Sequence, residues 1–70
     1  MNSLEQLGNR IRSKRHILNL SQEKLAEKCG FDRTYISLIE RGKRNPSYTN
    51  LLKLSKGLAT SVSELTLELE

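Results

Sequence analysis

"SQEKLAEKCGFDRTYISLIERG", residues 21–42, decides how this chain folds. Ser21 is a good helix N-cap, Glu23 lies near the positive end of the helix that follows, and Leu25, Ala26 and Cys29 share one face. Gly30 stops that helix. Two residues later Asp32 is placed to cap another, of about residues 33–41, which ends at Gly42. A link of only Gly30, Phe31 and Asp32 sets two helices at a steep angle and defines a helix-turn-helix over about residues 21–41. Gly30 suits the left-handed backbone such a corner needs, Ala26 is small where the helices approach, and Ile36 and Ile39 anchor the second helix from behind.

Working outward, Leu4, Leu7, Ile11 and Leu18 fall on one helical face, so about residues 3–18 read as an amphipathic first helix, with Arg15 on the same stripe. Asn45-Pro46 imposes an extended approach, after which Ser47 caps a helix carrying Leu51, Leu52, Leu54 and Leu58. "SVSE" has the spacing of a capping box, Ser61 with Glu64, and opens a short fifth helix with Val62, Leu65 and Leu69. The alternation in "ELTLELE" also fits a strand; the capping signal favours helix. The predicted fold is all-α: a compact five-helix domain spanning residues 1–70, with a dimerisation region at about 58–70.

Seventy residues leave no room for separate catalytic and regulatory domains, and a chain this short favours self-association. Twelve Lys and Arg against eight Asp and Glu give a formal net charge of +4, which favours an acidic partner. Every Lys and Arg lies at or before Lys56; Glu64, Glu68 and Glu70 are the charges beyond it. A basic body with an acidic tail suggests two surfaces with separate tasks. The single cysteine, Cys29, has no internal disulfide partner, and no Cys/His cluster has metal spacing. No signal peptide or membrane span is legible, so a cytoplasmic protein is expected. Without a nucleophile–base pair, a phosphate-binding glycine loop or paired carboxylates, neither an enzyme nor a cofactor or small-molecule ligand is expected. A peripheral membrane peptide is disfavoured because mutual packing consumes the apolar faces.

The segment 21–42 resembles the helix-turn-helix of the Xre/Cro-type repressors, the group that includes the phage lambda and 434 repressors. Gln22, Ala26, Gly30, Ile36 and Ile39 stand at that family's framework positions. "DRTYIS" followed by "IERGKRN" is most similar to the controller proteins of restriction–modification systems, which the resemblance describes as small dimeric transcription regulators. It covers roughly residues 5–60. It implies that Arg33, Thr34 and Leu38 read bases, that Gln22 holds a phosphate and braces Arg33, and that an ion pair occupies the positions of Arg15 and Glu40.

The residues support the same reading independently. At about 100° per residue, with Ile36 and Ile39 inward, Thr34, Ser37, Leu38 and Arg41 face outward, and Arg33 and Tyr35 flank them at the helix start. An α-helix fits the major groove, where Arg33 suits a bidentate contact to guanine worth about 1–3 kcal/mol of discrimination. Thr34 suits a base or phosphate, Ser37 lies beside it, and Leu38 suits a thymine methyl. Gln22 begins a helix, where its side chain and nearby N–H groups suit a phosphate oxygen. Tyr35, Arg41, Lys43, Arg44 and Asn45 are the remaining backbone-contact candidates, with Arg44 best placed for a minor groove. Arg15, on an inward stripe, needs a carboxylate, and Glu40 is the choice. His16 is expected in solvent and Cys29 as a small buried hydrophobe.

The expected function is therefore a dimeric transcriptional regulator on a palindromic operator in double-stranded DNA, with Val62, Leu65, Leu67 and Leu69 at the homodimer interface. The alternative is an antitoxin-type Xre protein that binds a toxin as well as its own promoter.

Overall fold

The computed structural model describes residues 2–69. Within them lie five helices: α1 (Ser3–Ile17), α2 (Gln22–Cys29), α3 (Arg33–Glu40), α4 (Tyr48–Gly57) and α5 (Val62–Thr66). Each starts on a side chain that accepts from a backbone N–H of the first turn: Asn2, Ser21, Asp32, Ser47 and Ser61. At α1 the arrangement is reciprocal, since Glu5 Oε1 also accepts from the Asn2 N–H at 3.1 Å.

The first four helices end alike. After α1, α2, α3 and α4 the chain turns left-handed at Asn19, Gly30, Gly42 and Ala59. The next N–H in each case reaches back five residues: Leu20 to Arg15, Phe31 to Ala26, Lys43 to Leu38 and Thr60 to Ser55. This is the Schellman closure, which satisfies last-turn carbonyls and reverses the chain within two residues. It explains how so short a chain makes four abrupt changes of direction.

The core draws on every helix: Leu7 and Ile11 from α1, Leu25, Ala26 and Cys29 from α2, Ile36 and Ile39 from α3, Leu54 from α4, Leu58 just after it and Leu65 from α5. Ile11, Leu25, Ile36, Ile39, Leu54 and Leu65 are fully enclosed. Each such side chain contributes about 1.5–3 kcal/mol through removal from water. The edges of the sequence reading shift slightly. Leu18 caps α1 and is partly exposed rather than buried in the core, because the stripe ends one turn earlier, and Leu52 is partly exposed as well. The segment "ELTLELE" begins as helix, and α5 closes at Thr66.

Leu65 corrects an expectation. The expected dimer surface includes this residue, yet its side chain has no accessible area left and forms part of the core. The Arg10 guanidinium also donates to its carbonyl at 3.3 Å, tying α1 to α5.

Candidate nucleic-acid interface

Gly30, at φ 75°, turns the chain between α2 and α3, and Asp32 then accepts from the Thr34 N–H at 3.0 Å to start α3. With Ile36 and Ile39 buried behind it, α3 presents Arg33 and Thr34 exposed to solvent, with Ser37 and Leu38 half-buried beside them. Asp32 and Arg41, at the two ends, are exposed as well.

The rear of α3 is held by a contact that sequence reasoning missed. A Cβ on Gly8 would lie 2.5 Å from the Glu40 carbonyl oxygen and 2.6 Å from that of Ile39. Only glycine lets α1 approach the end of α3 so closely. The available signal was a glycine inside an amphipathic helix, where it costs helix stability and so implies a packing reason.

Glu40 sits at that junction with its carboxylate out of solvent. Its Oε2 accepts from Arg15 Nε at 2.6 Å, and its Oε1 accepts from Arg15 Nη2 at 2.9 Å. The third Arg15 donor, Nη1, reaches the Leu20 carbonyl at 2.9 Å. Gln22 completes the cluster, its Nε2 donating to Glu40 Oε1 at 3.1 Å. The brace that the resemblance implies from Gln22 to Arg33 is thus not the one formed; Gln22 leans on Glu40, because the buried carboxylate has acceptor capacity left beside the start of α2. Burial pushes the Glu40 carboxyl up, but hydrogen bonds from Arg15 and Gln22 and the charges of Arg15 and Arg12 outweigh it, so the net shift is down. Arg15 is held above its ordinary value by its hydrogen bond to Glu40, which outweighs its own desolvation. Among the described residues, no buried side-chain nitrogen or oxygen lacks a partner.

Beyond α3 the basic turn is shaped by Gly42, at φ 72°, where a Cβ would also meet Glu5 Cγ at 2.8 Å. Lys43, Arg44 and Asn45 emerge exposed, and Pro46 is buried beneath them. The Arg44 guanidinium lies 5.4 Å from the centroid of the Tyr35 ring, which packs at 4.8 Å against Phe31. The Tyr35 hydroxyl accepts from Asn50 Nδ2 at 2.9 Å, so α4 fixes the angle of the ring. Arg41 folds back, its Nε 3.4 Å from the Ser37 carbonyl. Arg33, Thr34, Tyr35, Arg41, Lys43, Arg44 and Asn45 therefore lie along α3 and its exit, and the Glu40 cluster connects Gln22 to them.

His16 is exposed, and Cys29 is buried with its Sγ donating to the Lys53 carbonyl at 3.4 Å. Burial pushes the Cys29 thiol up, against a smaller opposing effect of the Lys28 charge. Among the described residues, no group of three or more His, Cys, Asp or Glu is placed to hold a metal ion. No helix among them is long and apolar enough to cross a membrane.

An exposed second helix, braced from behind and followed by a basic turn, defines a helix-turn-helix domain of the lambda-repressor kind. The family described as helix-turn-helix matches residues 11–65, and the chain belongs to it. Control protein C.SmaI of Serratia marcescens is 49% identical over 65 residues, covering 93% of this chain and 77% of its own length. Control protein C.MunI of Mycoplasma sp is 43% identical over a 72-residue alignment that covers 100% of this chain and 97% of its own. The crystal structure of the restriction-modification controller protein C.AhdI from Aeromonas hydrophila superposes with a TM-score of 0.86 at 45% identity, covering 89% of this chain and 94% of that one. The chain is a DNA-binding transcriptional regulator, similar to the restriction–modification controllers.

Proposed function

We propose that this chain acts as a controller-type regulator, binding a two-fold-symmetric operator as a homodimer in the cytoplasm and acting by occupancy, without a cofactor or catalysis. The observation that supports this most strongly is the exposure of Arg33 and Thr34 on a helix whose opposite side is clamped by Ile36, Ile39 and Glu40. In this reading Arg33 and Thr34 reach base edges in the major groove, with Ser37 and Leu38 lining the same front. Gln22, Tyr35, Arg41, Lys43, Arg44 and Asn45 meet the sugar–phosphate backbone. Tyr35 is suited to this because its hydroxyl accepts from Asn50 and keeps its own proton to donate to a phosphate. Arg44 is steered by the Tyr35 ring, so less of its freedom is lost on binding.

Residues 58–70 supply the dimer surface, without Leu65. Leu67 is 58% exposed and is the main apolar candidate, with Val62 half-buried and Leu69 leaning on the core. The acidic charges Glu64 and Glu68 keep that end away from DNA.

Selection of bound sites from random duplex DNA tests the reading. The expected product is a pair of inverted half-sites about 34–36 Å apart, or a multiple of that spacing. Recovery of no enriched sequence, or of a single unrepeated half-site, contradicts it.

A further inference from the structure

In the basic run Arg10–His16, Arg15 is buried against Glu40 and Arg10 donates to the Leu65 carbonyl, whereas Arg12 is exposed and still lies beside the Glu40 carboxylate. The Arg12 side chain is 45% exposed, and its Nε lies 3.6 Å from Glu40 Oε1. That same oxygen accepts from Gln22 Nε2 at 3.1 Å and from Arg15 Nη2 at 2.9 Å. Arg12 on α1 and Gln22 at the start of α2 therefore converge on one atom. Glu40 needs no second counter-charge, because Arg15 already holds it through two hydrogen bonds. At 3.6 Å Arg12 makes no hydrogen bond to the carboxylate, and a guanidinium carries five donors in a rigid fork.

Arg12 also opens onto a hollow of about 420 Å³ shared with Glu5, Asn9, Glu40, Arg41 and Lys43. Three cations line it. Of the two carboxylates, Glu40 is neutralised by Arg15 and Glu5 is engaged by the Asn2 N–H. The hollow thus joins Arg12 to Arg41 and Lys43, while the shared Glu40 oxygen joins it to Gln22.

We propose that Arg12 is a further DNA-binding residue, held beside Gln22 by the buried Glu40 carboxylate so that one backbone phosphate meets the Gln22 amide and the Arg12 guanidinium together. This deepens the DNA-binding reading and rests on it. The role is sequence-independent, since a phosphate carries no base identity.

The test uses the full chain and a short random-sequence duplex, with affinity measured across a salt series for the wild type, Arg12→Gln, Arg12→Lys and Lys14→Ala. Lys14 removes the same charge from a different face of α1. Arg12→Gln is expected to bind about tenfold more weakly at low salt and to lower the log–log salt slope by about 0.9, the release expected for one phosphate contact. Arg12→Lys restores the slope, and Lys14→Ala leaves it unchanged. Thermal unfolding of each variant separates lost folding from lost contact: a variant that melts like the wild type and still loses slope supports the proposal. A slope for Arg12→Gln equal to that of the wild type or of Lys14→Ala overturns it and leaves Arg12 as a counter-charge for Glu40. Absence of salt-dependent duplex binding by the wild type overturns the DNA-binding reading itself, and this proposal with it.

Discussion

Gly8 and Glu40 set the position of the recognition surface without belonging to it. A methyl at Gly8 has two backbone carbonyl oxygens within 2.6 Å, and neither can rotate away as a side chain would. Gly8→Ala is therefore expected to force α1 off the end of α3 and to cost about 2 kcal/mol or more, read as a fall in the urea midpoint. An unchanged midpoint would mean that the helices slide apart freely. Glu40 carries a second prediction. Its carboxyl is held below the ordinary range in the folded state, so its contribution is fully present above the unfolded value and is lost as pH falls through the folded one. Stability followed from neutral pH to about pH 3 should drop in the acid range, and Glu40→Gln should flatten that drop. At neutral pH the variant should be less stable by about 3 kcal/mol, because Arg15 is left as an uncompensated buried charge, and this deficit should narrow as the wild type loses the Glu40 charge in acid. A variant with the wild-type acid profile would remove Glu40 from the account.

At the scale of elements, the four Schellman closures do the work of loops, and one is made with a poor residue. Ala59 adopts φ 55° after α4, where an L side chain is strained, and the residue is exposed, so its methyl contributes little packing. Ala59→Gly should relieve that strain and stabilise the domain by about 0.5–1 kcal/mol, seen as a rise of about 3–6 °C in Tm. A fall in Tm would contradict the assignment. The elements also show what was legible in the chain alone. The caps at Ser21, Asp32, Ser47 and Ser61, the stop at Gly30 and the Ile36–Ile39 anchor are local signals and place α2 to α5 within a residue or two. Gly8, the Gln22–Glu40 hydrogen bond and the Asn50–Tyr35 contact join residues far apart in sequence and depend on how the helices are stacked, which no periodicity reports. The place of Leu65 is not legible for a related reason: a helix of five residues has too few turns for its pattern to separate an inward leucine from an outward one.

As a whole, the molecule measures 29 × 22 × 21 Å, less than the roughly 34 Å of one turn of duplex DNA. In the proposed reading one copy therefore covers a single half-site, and a second copy supplies the other. Charge is distributed to match: the cations of α3 and its basic turn lie at one surface, while Glu64 and Glu68 mark the chain's other end beside the exposed Leu67. The central claim is that α3 offers base-reading residues at its front while the surrounding cations grip the backbone without regard to sequence. Affinity for a selected operator and for random duplex, measured in parallel for the wild type, Arg33→Ala and Lys43→Ala, tests it most directly. Arg33→Ala should lose about 1–3 kcal/mol on the operator alone and so relax the preference between the two DNAs. Lys43→Ala should weaken both about equally and lower the salt slope by about one. If the two variants behave alike, or if Arg33→Ala keeps the full operator preference, α3 does not read the groove in the way described.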